Sequence, residues 1–211
     1  MLANPGLSMR VFFECLTHIY IRISMEANVN IKSISLFSKP ASTVKPVDKV
    51  SLVDLYKLIT SDKYKQVTEE LRGFANPNVI RDYKSKNFDF FTGSGVFPYR
   101  ADDALKYHSG YIVIDLDDLG EDLREVMAKL ITDDSLTVLL MFVSPSGNGL
   151  KVIYGIDLSQ GGHRKWFKAI SNYLRETYQL EADPSGINVS RTCFLPYAPA
   201  CYACEEIMSN L

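Results

Sequence analysis

The chain has 211 residues, 46% hydrophobic and 23% charged, with a formal net charge of −2. That is enough apolar material for a sizeable core, and the charge balance excludes a uniformly basic nucleic-acid coat while leaving room for a local basic channel. Four cysteines (Cys15, Cys193, Cys201, Cys204) are too few for a disulfide scaffold, and no apolar run is long enough to span a membrane, so the expectation is a cytoplasmic protein with no membrane partner.

Residues 1–24 read as an N-terminal extension. They are faintly like an export signal, but Glu14, His18 and Arg22 interrupt the apolar stretch and no small-x-small cleavage site follows. Met25 opens a cleaner sequence, and 25–211 reads as a single domain. Ile31 to Phe37 alternates polar and apolar residues and predicts a strand with one wet face. Pro40 and Pro46 mark a loop. Ser51 caps a helix over 51–60, and Ser61 caps a second that Gly73 stops. Asn76-Pro77-Asn78 reads as a turn. Phe88 to Arg100 reads as a short strand and a glycine-rich loop.

The segment SGYIVIDLDDLG, Ser109 to Gly120, places a buried strand directly before Asp115, Asp117 and Asp118. A helix over 121–131 follows, then an apolar strand over 136–144. The tight loop SPSGNG joins it to a returning strand over 150–156, which predicts a hairpin. Residues 163–178 form an amphipathic helix with Trp166, Ile170, Tyr173 and Leu174 inward and Arg164, Lys165, Lys168 and Arg175 outward. The tail is loop and strand with several prolines. The order β-α-β-β-α-β from Tyr111 onward predicts an α+β sheet with helices packed on it.

Side chains alternate along a strand, so Asp115 and Asp117 share a face about 7 Å apart. Paired carboxylates repel unless a cation lies between them. An all-oxygen site of this kind suits Mg²⁺ or Mn²⁺ with substrate phosphates as further ligands. Asp118 is a candidate cap for the helix that follows. In Ser144 to Lys151, Gly147 and Gly149 allow close backbone approach, Ser144, Ser146 and the loop N–H groups can form a phosphate nest, and Lys151 adds a charge. The spacing is wrong for a Walker A loop. Asp183 begins the turn Asp-Pro-Ser-Gly, and Arg191 precedes an apolar strand over 192–195, placed to hold phosphate or to pair with a carboxylate. Cys201 and Cys204 form a C-x-x-C without the two further ligands that a zinc site needs and read as unpaired thiols.

These motifs, SGYIVIDLDD, SPSGNGLKVIY and ADPSGINVSRTCFLPY in that order, with FFTGSGVFPYR upstream, resemble the VirE N-terminal branch of the archaeo-eukaryotic primase (primase-polymerase) superfamily. The resemblance runs from about Ile31 to Tyr202. It implies a primase-polymerase-like palm, with an RRM-like mixed or antiparallel β-sheet flanked by helices. It implies catalytic and metal-binding roles for Asp115, Asp117 and Asp183 around divalent metals. It also implies nucleotide binding by Ser144, Ser146, Gly147, Gly149, Lys151 and Arg191. The activity implied is that of a DNA primase or nucleotidyltransferase acting with a nucleotide triphosphate and single-stranded DNA or RNA, beside a helicase-like ATPase domain or protein, in replication of a mobile or phage-like element. Many active primases carry His where Lys151 stands, and lysine is a poorer proton carrier near neutral pH. The alternative is therefore a catalytically inactive nucleic-acid-binding or helicase-recruiting module. A phosphatase of the haloacid dehalogenase type also ends a strand in D-x-D, but it wants a Thr where this chain has Leu119. Basic residues Lys63, Lys65, Arg72, Arg81, Lys84 and Lys86, and His163 to Lys168 on one helix, are candidate backbone contacts. Phe97, Tyr99 and Tyr107 are candidates for base stacking or for the core.

Overall fold

The computed structural model describes residues 32–211. The expected N-terminal extension, the second start at Met25 and Cys15 lie outside the described residues.

In chain order the elements begin with β1 (Ile34–Phe37) and β2 (Asp48–Val50), which pair antiparallel. All four β1 residues are buried, so the expected wet face is absent; Ser35 is satisfied in the core by Phe97, whose N–H donates to its Oγ. Helix α1 (Leu52–Thr60) starts at Ser51 with a reciprocal capping box: Asp54 N–H donates to Ser51 Oγ, and Ser51 N–H donates to Asp54 Oδ2. A 3-10 turn at Asp62–Tyr64 leads into α2 (Lys65–Arg72), which ends at Gly73. Asn76-Pro77-Asn78 is the start of a helix, not a free turn. Asn76 is the N-cap and Pro77 the first helical residue of α3 (Pro77–Asn87). Proline suits that position because its missing N–H would be unpaired there anyway.

β3 (Phe90–Thr92) pairs with β1. A two-stranded ribbon, β4 (Gly95–Val96) and β5 (Tyr107–His108), precedes β6 (Tyr111–Leu116). Then come α4 (Leu123–Ile131), β7 (Val138–Val143), β8 (Leu150–Gly155) and α5 (His163–Tyr178). β9 (Cys193–Phe194), β10 (Tyr202–Ala203) and the short α6 (Glu205–Met208) close the chain.

There are two four-stranded sheets, ordered β2-β1-β3-β9 and β10-β7-β8-β6, and every pairing in them is antiparallel. β7 and β8 form the expected hairpin. Because β6 and β7 both run against β8, they are parallel to each other with β8 between, a split β-α-β unit. The expected final strand at 192–195 does not complete this sheet; β9 joins β3 instead. After α5 the chain returns to the free edge of β6 through a single antiparallel bridge, Leu116 to Ala182.

The β6-bearing sheet has two faces. Ile112, Ile114, Leu116, Val152 and Tyr154 pack with Trp166, Ile170 and Leu174 of α5 and Val126 and Leu130 of α4. Tyr173 is only half-buried, its hydroxyl donating to Asp133. Phe142, Ile153 and Val113 on the other face pack with Ile34, Phe91 and Cys193 of the first sheet and with α1. Asp115 and Lys151 belong to this second, inter-sheet face by strand alternation. The molecule is thus α+β, with antiparallel sheets flanked by helices. No helix among the described residues is long and apolar enough to cross a membrane.

Candidate metal and phosphate site

The edge bridge is what assembles the site. Ala182 sits beside Leu116, and the next residue, Asp183, donates its N–H to Asp115 O at 2.9 Å. Carboxylates 68 positions apart in sequence are thereby brought to one strand end. One oxygen each from Asp115, Asp117 and Asp183 lies within 4.8 Å of the others. A cleft lined by Val113, Asp115, Lys151, Gly186, Arg191, Thr192 and Cys193 opens beside them.

Each carboxylate is held differently. Asp115 stands directly across from Lys151 in the β6–β8 register, and Lys151 Nζ pairs with Asp115 Oδ2. Only 14% of the Asp115 side chain and 12% of the Lys151 side chain is exposed. Asp115 Oδ1 is buried with no hydrogen-bond partner among the described residues. Asp183 Oδ1 accepts from Ser185 N–H, and Arg191 Nη2 donates to Asp183 Oδ2 at 2.6 Å. Burial works to raise the Asp183 pKa, but the Ser185 hydrogen bonds and the charges of Arg191 and Lys151 outweigh it and hold the group below the ordinary carboxylate range. Asp117 is exposed as a residue, yet its pKa is raised. Partial desolvation of its carboxylate is the main cause, with repulsion from Asp115 and Asp183 added, against attraction from Lys151 and Lys84. Asp117 thus carries repulsion that a bound cation would relieve.

The hairpin loop abuts this cluster. A Cβ on Gly149 would lie 2.4 Å from Leu116 O and 3.2 Å from Asp117 Cα, so only glycine lets the loop press on the end of β6. Gly147 has φ +83, in the left-handed region. Ser144 Oγ and Ser146 Oγ are 3.2 Å apart, and the N–H groups of Ser144 and Gly147 are used within the loop. The N–H groups of Ser146 and Asn148 donate to nothing among the described residues. Arg72, at the end of α2, donates to Ser144 O and Pro145 O and so fixes the loop from outside.

Asp118 does not cap the helix that follows. It adopts φ +55, and its Oδ1 accepts from Asn148 Nδ2, while Asn148 O and Oδ1 accept from Leu119 N–H and Gly120 N–H. Asn148 therefore ties the loop to the segment after the carboxylates. That role was not read from the sequence; an asparagine between two glycines looks like ordinary turn chemistry.

The basic residues divide. Lys63, Lys65 and Lys86 are taken up by Asp89, Asp62 and Asp82. Arg72 is taken up by the loop instead. The half-buried Lys84 is lowered in pKa, first by burial, then by repulsion from Lys151 and Arg191 against attraction from Asp117 and Asp115. On α5, Arg164, Lys165 and Lys168 are exposed, but His163 is not part of that charged face. It is buried, with Nδ1 3.1 Å from His108 Nε2 and Nε2 3.2 Å from Gly186 O. Phe97 is core, whereas Tyr99 and Tyr107 are exposed. Cys193, Cys201 and Cys204 are free thiols, the first two buried.

The donor set fits a hard divalent cation: three carboxylates, one with a buried unpartnered oxygen, and no nitrogen or sulfur ligand among them. Comparison with known protein families matches residues 83–202 to the BT4734-like, N-terminal domain. That is more than half of the chain, and the protein belongs to this family. This replaces the expected assignment to the VirE N-terminal branch of the primase superfamily, to which nothing in the comparisons points. No curated protein and no solved structure matches the chain.

Proposed function

We propose that this member of the BT4734-like N-terminal domain family binds a nucleoside triphosphate together with a divalent cation, and that the site serves nucleotidyl transfer onto single-stranded nucleic acid. The observation that carries this reading is the convergence, at one end of β6, of three carboxylates with a serine-glycine loop and the cations Lys151 and Arg191. Asp115, Asp117 and Asp183 would hold Mg²⁺ or Mn²⁺. When bound, such an ion draws charge from phosphate oxygens and makes an attacking hydroxyl more acidic.

The chain's own residues supply the rest. The free N–H groups of Ser146 and Asn148 and the Ser146 hydroxyl are donors for phosphate oxygens. Lys151 and Arg191 are positioned to exchange their carboxylate partners for phosphate oxygens, Arg191 with the planar fork that suits two-point contact. Arg72 and Asn148 keep the loop in register with the carboxylates.

A binding-only version of the same site is favoured by one observation. Lys151 lies on Asp115, so the position closest to the carboxylates holds a cation rather than a group that carries protons near pH 7. Calorimetric titration with dATP, with and without Mn²⁺, tests the shared core of both readings. Wild type is expected to bind dATP only with Mn²⁺, and Asp115→Ala/Asp117→Ala to lose that binding. Wild-type protein that ignores dATP at millimolar Mn²⁺ overturns the proposal. Primer extension by protein that does bind separates transfer from binding alone.

A further inference from the structure

Arg191 reaches the site from an irregular stretch, Asn188 to Thr192, between the 3-10 turn at Pro184–Ile187 and β9. Its side chain is 45% exposed, and its own N–H donates within the stretch, to Asn188 O. The stretch is held from far away in the sequence. Asp102 lies in the loop that joins β4 to β5, and its Oδ1 accepts from Ser190 N–H at 3.0 Å and from Ser190 Oγ at 2.6 Å. Ser94, just before β4, is buried, and its Oγ donates to Val189 O. The loop that carries Asp102 is itself braced at both ends. Arg100 N–H donates to Val44 O and Arg100 Nη2 to Ala41 O, while Lys106 N–H donates to Val96 O.

An arginine on a loose backbone gives up conformational freedom each time it takes a phosphate. A carboxylate that holds two donors of the preceding residue removes that freedom in advance, and its charge makes both bonds stronger than neutral ones. Asp102 makes no ion pair among the described residues, so its charge is not committed to a cation elsewhere. Resting on the reading of the cleft as a metal and triphosphate site, we propose that Asp102 is a positioning residue for that site: by clasping Ser190 it sets the backbone from which Arg191 reaches the triphosphate. It acts through Arg191 and touches neither nucleotide nor ion. Arg191 Nη2 already stands 2.6 Å from Asp183 Oδ2, at the carboxylates where the phosphates are to arrive, and Arg191 lines the cleft.

The test measures dATP affinity in Mn²⁺ for wild type, Asp102→Ala, Asp102→Asn, Arg191→Ala and the double variant Asp102→Ala/Arg191→Ala, with melting temperatures alongside. Loss of the clasp predicts about fivefold weaker dATP binding by Asp102→Ala, with a melting temperature near wild type. Asp102→Asn removes the charge yet keeps an oxygen acceptor for Ser190, and is expected to stay within about twofold of wild type. Arg191→Ala is expected to lose about tenfold, and the double variant no more than Arg191→Ala alone, since Asp102 acts only through that arginine. Unchanged dATP affinity in Asp102→Ala, or a double variant that loses the product of the two single losses, overturns the role of Asp102 while wild-type binding leaves the cleft reading standing. A wild type that ignores dATP overturns the cleft reading itself, and this inference with it.

Discussion

Asp115 shows what one residue in an apolar strand can demand of its surroundings. Its neighbours Ile114 and Leu116 are fully buried in the helix-facing core, while its own side chain lies on the inter-sheet face with Lys151. The pair is largely desolvated, so removing one partner strands the other. Lys151→Met is expected to cost about 2 kcal/mol, below the range for fully buried pairs because both side chains keep some exposure. Asp115→Asn added to Lys151→Met is expected to recover most of that loss in urea unfolding. Mn²⁺ is expected to raise the melting temperature of Lys151→Met more than that of wild type, because the ion then replaces the lost ammonium as the positive partner of the Asp115 carboxylate. Equal shifts in both proteins would contradict the placement of the ion.

At the scale of elements, the hairpin loop and the β6 edge carry the arrangement. Gly149→Ala is expected to destabilise the fold by about 1–3 kcal/mol, since a Cβ 2.4 Å from Leu116 O must push the loop off the strand end. Chemical denaturation measures this, and a neutral result would show that the loop does not press on β6. Much of this scale was legible in the sequence. The β7–β8 hairpin, the Ser51 cap and the pairing of Asp115 with Asp117 on one face were readable because alternation, capping chemistry and glycine spacing are local signals. What was not legible is non-local. Asn76-Pro77 looks the same before a turn as before a helix. Nothing local says that 193–194 joins β3 rather than the β6 sheet, or that one bridge at Ala182 delivers Asp183. Arg72 stood among six candidate backbone contacts in the sequence, and only tertiary packing separates it, on the loop, from Lys63, Lys65 and Lys86 on their carboxylates.

At the scale of the molecule, the β4–β5 ribbon is joined to α5 and to the turn at Gly186 through a histidine pair, His163 buried and His108 half-buried. Gly110 N–H donates to His108 Nδ1, which leaves Nε2 to face His163 Nδ1, and His163 Nε2 faces Gly186 O. The chain is satisfied when both rings are neutral. Burial first, and then the His163 charge, lower the His108 pKa from 6.5 to about 4, and burial lowers His163 as well, against Gly186 and Asp102. Between these values the unfolded chain binds protons that the fold does not. The stabilisation is therefore complete above pH 6.5 and is lost as pH falls toward about 4. Urea midpoints at pH 7, 5.5 and 4.5 are expected to fall in that order, and His108→Gln is expected to flatten the trend. A wild-type midpoint that holds steady to pH 4.5 would contradict this reading of the pair.

One end of β6 is proposed above as a divalent-cation site that takes a triphosphate. A crystal grown with Mn²⁺ and a non-hydrolysable dATP analogue, with anomalous differences measured at the manganese edge, tests it most directly. The expected result is an anomalous peak about 2.1 Å from Asp115 Oδ1 and within bonding reach of Asp117 and Asp183, with phosphate oxygens completing the ion's shell. A structure with no anomalous peak at these carboxylates, the Lys151–Asp115 pair intact and the nucleotide absent or bound elsewhere, would contradict it.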